Sequence, residues 1–310
     1  MSTTSFSSRA PLTGNDIAKM VQSLSNWGRW GKDDQLGAIN LITAQKRKEA
    51  ASLVQEGLPI SLARPAICTE TFNSPPFEHR MVETGYTPGA VSSADVYSVQ
   101  YHGYTQTHLD ALCHVFYQGQ MYNGFSQHWV TDSGAAKLSV INVKDGIFTR
   151  GVLIDLPRRR GIPYLKGNQA IFPQELDAWE SETGVKIKSG DAVFIRTGRW
   201  ARFAIEGEWN VETGSAGLDV LCMPWFRERD AAILASDLAL DVMPSGVEGV
   251  RMPVHLLAIV AMGVPIIDNC DLEAVAEFAA KRQRWTFLLT VEPLAVEGGT
   301  GSPVNPVAIF

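Results

Sequence analysis

The sequence predicts a single α/β domain with mixed strands, and three features carry that expectation. Short runs rich in Val, Ile, Leu, Phe and Thr, bounded by turn residues, alternate with longer helical patterns. A composition of 45% hydrophobic and 19% charged residues over 310 positions is that of an ordinary globular chain with room for a substantial core. No internal repeat or low-complexity linker breaks the body of the chain, so residues 15–310 read as one domain. Residues 1–14 are rich in Ser and Thr and are expected to form a flexible arm, or one that docks on a neighbour.

The elements follow in order. Asn15–Leu24 is a short helix candidate, and Asn26–Asn40 has the Trp, Gly and Asp content of an ordered loop. Thr43 caps a helix that runs to Glu56 and ends near Gly57. Leu58–Ala63 reads as a strand. Residues 64–91 are rich in Pro and Gly and suggest a surface excursion of the kind that forms lids, with His79 exposed on it. Asp95–Tyr101 alternates and reads as a strand leading into the stretch discussed below. Val140–Val143, Gly151–Leu156, Ala192–Arg196, Ala235–Leu240 with Val242, and Thr286–Val291 are further strands; Val264–Ile267 is a strand or extended segment. Pro173–Thr183, Pro224–Ala235, Val254–Met262 and Asp271–Ala280 are helices; Gly263 closes the third and Asp271 caps the fourth.

A net charge of −6 and a pI near 5.6 argue against nucleic acid or an anionic membrane as a partner. No apolar run reaches the length of a membrane span, and the N-terminus lacks the apolar core of a signal peptide, so a cytoplasmic protein is expected. Cys68, Cys113, Cys222 and Cys270 are scattered, with no CxxC pair, and are expected to be buried and reduced. There is no GxSxG, P-loop or GxGxxG. Arg158–Arg160 reads as a solvated loop, with a clamp for a substrate carboxylate as the lesser reading.

Chemistry concentrates in Tyr101–Gly124, which holds His102, His108 and His114 of the six histidines and sets Asp110 between two of them. His108 and Asp110 are two apart, so on a strand both point to one side. An imidazole and a carboxylate aimed at one point suit a divalent cation of the zinc, manganese or iron type. A helical turn at Leu109–Ala111 would bring His114 to the same cavity. Core histidines and an Asp110 helix cap are the plainer alternative. Burial of several ionisable groups among Leu109, Leu112, Val115 and Phe116 weighs against it.

The run Thr107–His114 (THLDALCH) resembles the T-H-x-D-x-x-x-H core of the cyclase family of metal-dependent hydrolases, which includes kynurenine formamidases and isatin hydrolases. Trp27–Thr43, Pro253–Leu272 and Gly298–Pro306 resemble further blocks of its longer members. The resemblance implies a barrel-like mixed β core of the swivelling β/β/α type surrounded by helices, assembled as a homodimer or homotetramer. It implies a divalent metal, Zn or Mn, on His108 and Asp110, with Asp268 standing where the family usually has Glu. His255 would serve a second ion. It places His114 outside the ligand set as the group that relays a proton. Tyr104 occupies the position of a further family His, so His102 or Tyr104 would fill that vacancy. Gln106, in place of the usual Gly, could face the cavity, and Trp30 would line the substrate site. The Gly-rich tail 298–303 would form a tight turn near the pocket. The implied activity is hydrolysis of a cyclic or aryl amide, imide or lactone, that is, an amidohydrolase or lactonase acting on a small molecule. N-formyl arylamine hydrolysis and a non-catalytic ligand-binding relative are the alternatives.

Overall fold

The computed structural model describes residues 11–71 and 73–310, and its centre is a mixed sheet of nine strands. In spatial order these are Pro59–Ser61, Val307–Ile309, Thr286–Val291, Ile147–Asp155, Ala192–Arg196, Ile233–Ser236, Ile266–Asp268, His108–Asp110 and Gly301–Pro303. The four strands from Ile147–Asp155 to Ile266–Asp268 run parallel, and every other pairing is antiparallel. The inner parallel strands AVFIR, ILAS and IID are buried throughout, which is why they read as continuous apolar runs rather than alternating ones. The sheet is curled into a half-barrel with helices around it.

Helices occupy the crossovers that parallel strands require. Pro173–Thr183 lies between the first two parallel strands, Arg199–Glu206 and Cys222–Glu228 between the next two. The α-helical turn Pro253–His255 continues into a π-helix, Leu256–Met262, before the fourth. Asn26 and Trp27 satisfy carbonyls of that π-helix: Asn26 N–H donates to Ala261, its side chain to Met262 (2.8 Å), and Trp27 Nε1 to Val260 (2.7 Å). Trp27 therefore anchors the 26–40 loop to the core.

Several expectations are corrected. The first helix starts at Gly14 with a capping box between Thr13 and Asp16, and Leu12 bridges Val247; the rest of the arm expected over 1–14 lies outside the described residues. Thr43 does cap a helix, but it ends at Ala51. Val140–Val143 is a 3₁₀ turn, because a short buried apolar run is equally compatible with either conformation. Helix Cys222–Glu228 stops before the strand Ile233–Ser236, which starts earlier than expected. The last long helix is Glu273–Arg282 with Leu272 at its cap, and Asp271 accepts from the Glu273 N–H. Cys68 is exposed, unlike the other three cysteines. Arg158–Arg160 is helical, and each arginine is paired, with Asp155, Glu182 and Glu175 respectively.

The 64–98 region carries a two-stranded antiparallel hairpin, Glu78–Glu83 with Ala94–Ser98, standing apart from the main sheet. The segment expected as a strand feeding the motif belongs to this hairpin, and His79 on it pairs with Asp95 at 3.0 Å. Among the described residues no helix is long and apolar enough to cross a membrane.

Candidate metal centre

The strand His108–Asp110 sits between Ile266–Asp268 and Gly301–Pro303. Its period of two sends His108 and Asp110 to one side, and the register sets Asp268 directly across from His108. After Asp110 the chain makes a tight turn rather than a helix, with His114 N–H bonded to Ala111 O (3.0 Å). That turn brings His114 Nε2 to 3.8 Å from Asp110 Oδ1.

His102 reaches Asp110 from outside the motif strand. It lies in a bent segment before the motif strand, where Gly103 has φ +145° and presses against Ser74. Its Nδ1 stands 2.9 Å from Asp110 Oδ1, and its ring stacks on His114 with centroids 3.8 Å apart. Gly301, paired with Asp110, makes room for this: a Cβ there would fall 2.4 Å from Leu109 O and 3.0 Å from His102 Cε1.

His255 enters from the opposite side, at the start of the helix before the Ile266–Asp268 strand. Its Nε2 lies 3.1 Å from Asp268 Oδ2 and 3.8 Å from Asp110 Oδ2. Two groups of donor atoms result, His102/His108/Asp110 and Asp110/His255/Asp268, each with all donors within 4.8 Å of one another and Asp110 shared.

Each of these three imidazoles has one nitrogen held and the other aimed at the carboxylates. His108 Nδ1–H donates to Gln106 O (2.8 Å), His255 Nδ1–H donates to Asp241 Oδ2 (2.6 Å), and His102 Nε2 bonds Thr300 Oγ1 (2.9 Å). Such outer partners fix the tautomer and direction of metal-binding histidines. At the centre, His102 Nδ1, Asp110 Oδ1 and Asp268 Oδ1 are buried without an aligned hydrogen bond, although His102 and Asp110 are close. Buried polar atoms in that condition are rare and costly. The donor set and its orphaned atoms fit a divalent cation.

Burial works to neutralise Asp110, but His114, His102 and His108 outweigh it and hold its carboxyl well below the usual range. Burial dominates at Asp268 and raises it against the pull of His255. Burial opposes the charged form of His255, yet Asp268 and Asp241 prevail and raise it well above the ordinary value. At His108 burial is likewise overcome, by Asp110. His114 is pushed down to about 4, chiefly by burial, and is neutral at pH 7, while 31% of its side chain still meets solvent. His102 is 25% exposed and the other members nearly sealed, so the centre opens on the His102–His114 side.

The remaining candidates lie elsewhere. Tyr104 packs with Val211, Leu238, Ala239 and Met243 and its hydroxyl accepts from Arg251 (2.5 Å), so of the two residues proposed for the vacancy it is His102 that enters the cluster. Gln106 is turned to the backbone of Ile67, to which its amide makes two bonds. Trp30 lies under the Arg29 guanidinium at 4.8 Å, and among the described residues no hydrogen bond or ring contact joins it to the cluster. Asn269, next to Asp268 in the chain, is a brace: its amide donates to Gly103 O and Gln106 O and accepts from Arg199. Asp241 and Thr300 were not singled out from the sequence. For Asp241 a signal existed, one carboxylate within an otherwise apolar run from Leu238 to Met243.

The pattern of the Cyclase family, described as "Putative cyclase", matches residues 48–241. Among solved structures, one described as a novel cyclase is 30% identical, covers 94% of this chain and 99% of its own, and superposes with a TM-score of 0.84. Isatin hydrolase A from Ralstonia solanacearum is 18% identical, with 86% and 95% covered and a TM-score of 0.57. A "predicted metal-dependent hydrolase" from Bacillus stearothermophilus is 16% identical, with 81% and 97% covered and a TM-score of 0.51. No curated protein matches.

Proposed function

The chain belongs to the cyclase family, and from that premise we propose that it is a metal-dependent hydrolase of a small cyclic or aryl amide, imide or lactone. The observation that carries this reading is the convergence of three oriented imidazoles on Asp110 and Asp268, with buried donor atoms left without aligned partners. His102, His108, Asp110, Asp268 and His255 would hold the cation, Zn or Mn. Bound there, a divalent cation supplies water acidified toward a pKa of about 7 and polarisation of the carbonyl under attack.

The chain's own groups do the rest. Asp110 and Asp268 present negative charge at the floor of the site, and Thr300, Gln106 O and Asp241 keep the imidazoles from rotating away. Substrate enters on the solvent-facing His102–His114 side. Water adds to the carbonyl carbon, the C–N or C–O bond breaks, and His114 carries the proton from the water to the departing nitrogen or oxygen. Its ring is suited to this by position: it touches His102, approaches Asp110 and keeps one edge in solvent. The structural likeness to isatin hydrolase A supports a cyclic amide as the first substrate to try.

The test is elemental analysis of the purified protein beside His108→Ala, with both assayed on a panel of aryl lactones, cyclic imides, isatin-type amides and N-formyl arylamines. Bound zinc or manganese that disappears in the variant together with hydrolysis is the expected result. Absence of metal in both proteins after reconstitution, with ligand binding retained, would exclude the hydrolase and favour a binding relative.

A further inference from the structure

Arg199 is buried, yet its charge is not placed against a carboxylate as other buried cations are. Lys46 and Arg196 lie against Asp191 and against Asp155 and Glu273. Arg199 makes no such pair among the described residues, and its side chain is directed to two neutral oxygens: Nη1 donates to Asn269 Oδ1 at 2.7 Å and Nη2 to Tyr104 O. Burial draws the guanidinium down to about 10, with Asp237 and Asp268 holding it up, so it is charged at pH 7. A buried charge without an ion pair is costly, and the two oxygens it serves show what it holds.

Both oxygens belong to segments that carry donors of the metal centre. Asn269 follows Asp268 and has φ +58°, a left-handed conformation that Asn tolerates. Its Nδ2 donates to Gly103 O (2.8 Å) and Gln106 O (3.0 Å), and its carbonyl accepts from Thr107 Oγ1 (2.8 Å). Gln106 O is also the acceptor that orients His108, and Gly103 and Tyr104 follow His102 directly in the chain. The base of Arg199 is fixed as well: Asp237 accepts the N–H groups of Thr197, Gly198 and Arg199 at 2.9, 2.7 and 3.1 Å.

We propose that Arg199 is a positioning residue of the metal centre, whose fork ties together the segments presenting His102, His108 and Asp268 around Asp110. This rests on the hydrolase reading above. Arginine is required by geometry: two acceptors on different segments need two N–H groups held in a planar fork, which the single ammonium of lysine does not supply. Asn269 depends on it in turn. With Nδ2 on two carbonyls, Oδ1 is left for Arg199, so loss of the guanidinium frees the amide to turn away from Gln106 O. His255, held by Asp241, stands outside this network.

Zinc competition against a chromogenic chelator tests the proposal on the wild type, Arg199→Lys, Arg199→Ala and the control Arg150→Ala. Arg150 is tied to Asp191 and Lys186 O, away from every segment that carries a donor. Zinc affinity should fall about tenfold in Arg199→Lys and up to about 100-fold in Arg199→Ala, the range for lost outer partners of a metal site. Arg150→Ala should bind zinc as the wild type does, even where its unfolding temperature is lower. A cavity of about 100 Å³ borders Arg199, lined also by Thr105, Trp200 and Phe203. Millimolar guanidinium should therefore restore part of the zinc affinity of Arg199→Ala and leave the wild type unchanged, whereas a general loss of stability would be deepened by it. An Arg199→Lys protein that binds zinc within twofold of wild type overturns the proposal. So does a loss in Arg199→Ala that Arg150→Ala shares and guanidinium leaves in place. A wild type that takes up no zinc or manganese overturns the hydrolase reading itself, whereas equal zinc binding by wild type and Arg199→Lys overturns this inference alone.

Discussion

Asp241→Asn separates the orientation of His255 from its presence. Asp241 Oδ1 accepts the Val254 N–H at 2.7 Å, and Oδ2 accepts both the His255 N–H and Nδ1–H, at 3.1 and 2.6 Å. Asparagine keeps the shape and one acceptor. If its oxygen stays on the Val254 N–H, its NH₂ faces Nδ1, which must then accept, and the ring proton moves to Nε2. Nε2 is the nitrogen that points at Asp268 and Asp110, and once protonated it can no longer ligate. Loss of such an outer partner costs 10- to 100-fold in metal affinity, about 1.4–2.7 kcal/mol. Stability should fall by about 1–3 kcal/mol, because a buried N–H at the helix start loses its acceptor. The assay is zinc competition against a chromogenic chelator, with thermal unfolding of the apo protein alongside. A folded Asp241→Asn protein that binds zinc within twofold of wild type would refute the tautomer argument.

Three further outcomes follow from the geometry. His102→Ala should lower metal content and turnover together, whereas Tyr104→Phe should leave the metal count unchanged, since that hydroxyl faces Arg251; elemental analysis of the pair distinguishes them, and the opposite result would put Tyr104 in the ligand set. His114→Ala should retain metal yet lose about 10²–10⁴-fold in turnover, the usual contribution of a positioned proton carrier, and full activity would remove the relay. Glu180 is buried against Arg229, Lys186 and the Ile187 N–H; burial alone would raise its carboxyl, and those partners together lower it. A folded-state value below the unfolded one, about 4.3, stabilises above that pH and is lost as pH falls through the folded value. Glu180→Gln should therefore unfold at lower temperature than wild type at pH 7, with the gap narrowing between about pH 5 and pH 3; a gap independent of pH would contradict the assignment.

Much of the local architecture was legible in the chain. Pro173–Thr183 and Thr286–Val291 have the bounds read from sequence: Pro173 and Gly184 frame the helix, and the apolar run of the strand stops before Glu292 and Pro293. His108 and Asp110 share a side because a strand's period leaves no alternative. The resemblance over Thr107–His114 pointed to the right family before any pairing was known. Less was legible where a short apolar run has no period to read, as at Val140–Val143, or where alternation marks a strand without saying which sheet receives it, as at Ala94–Ser98.

What the sequence by itself determined was therefore the class of elements, the cyclase motif and the pair His108–Asp110. Only the tertiary structure decided which distant groups join them. Asp268 faces His108 because two strands far apart in the chain pair in one register, and a shift by one residue would send its carboxylate to the other face. His102 reaches Asp110 because a bend at Gly103 and the bare Cα of Gly301 leave space for its ring. Asp241 holds His255 because a crossover helix begins beside it. Register, close approach and crossover placement depend on contacts between segments remote in sequence, and no local pattern encodes them.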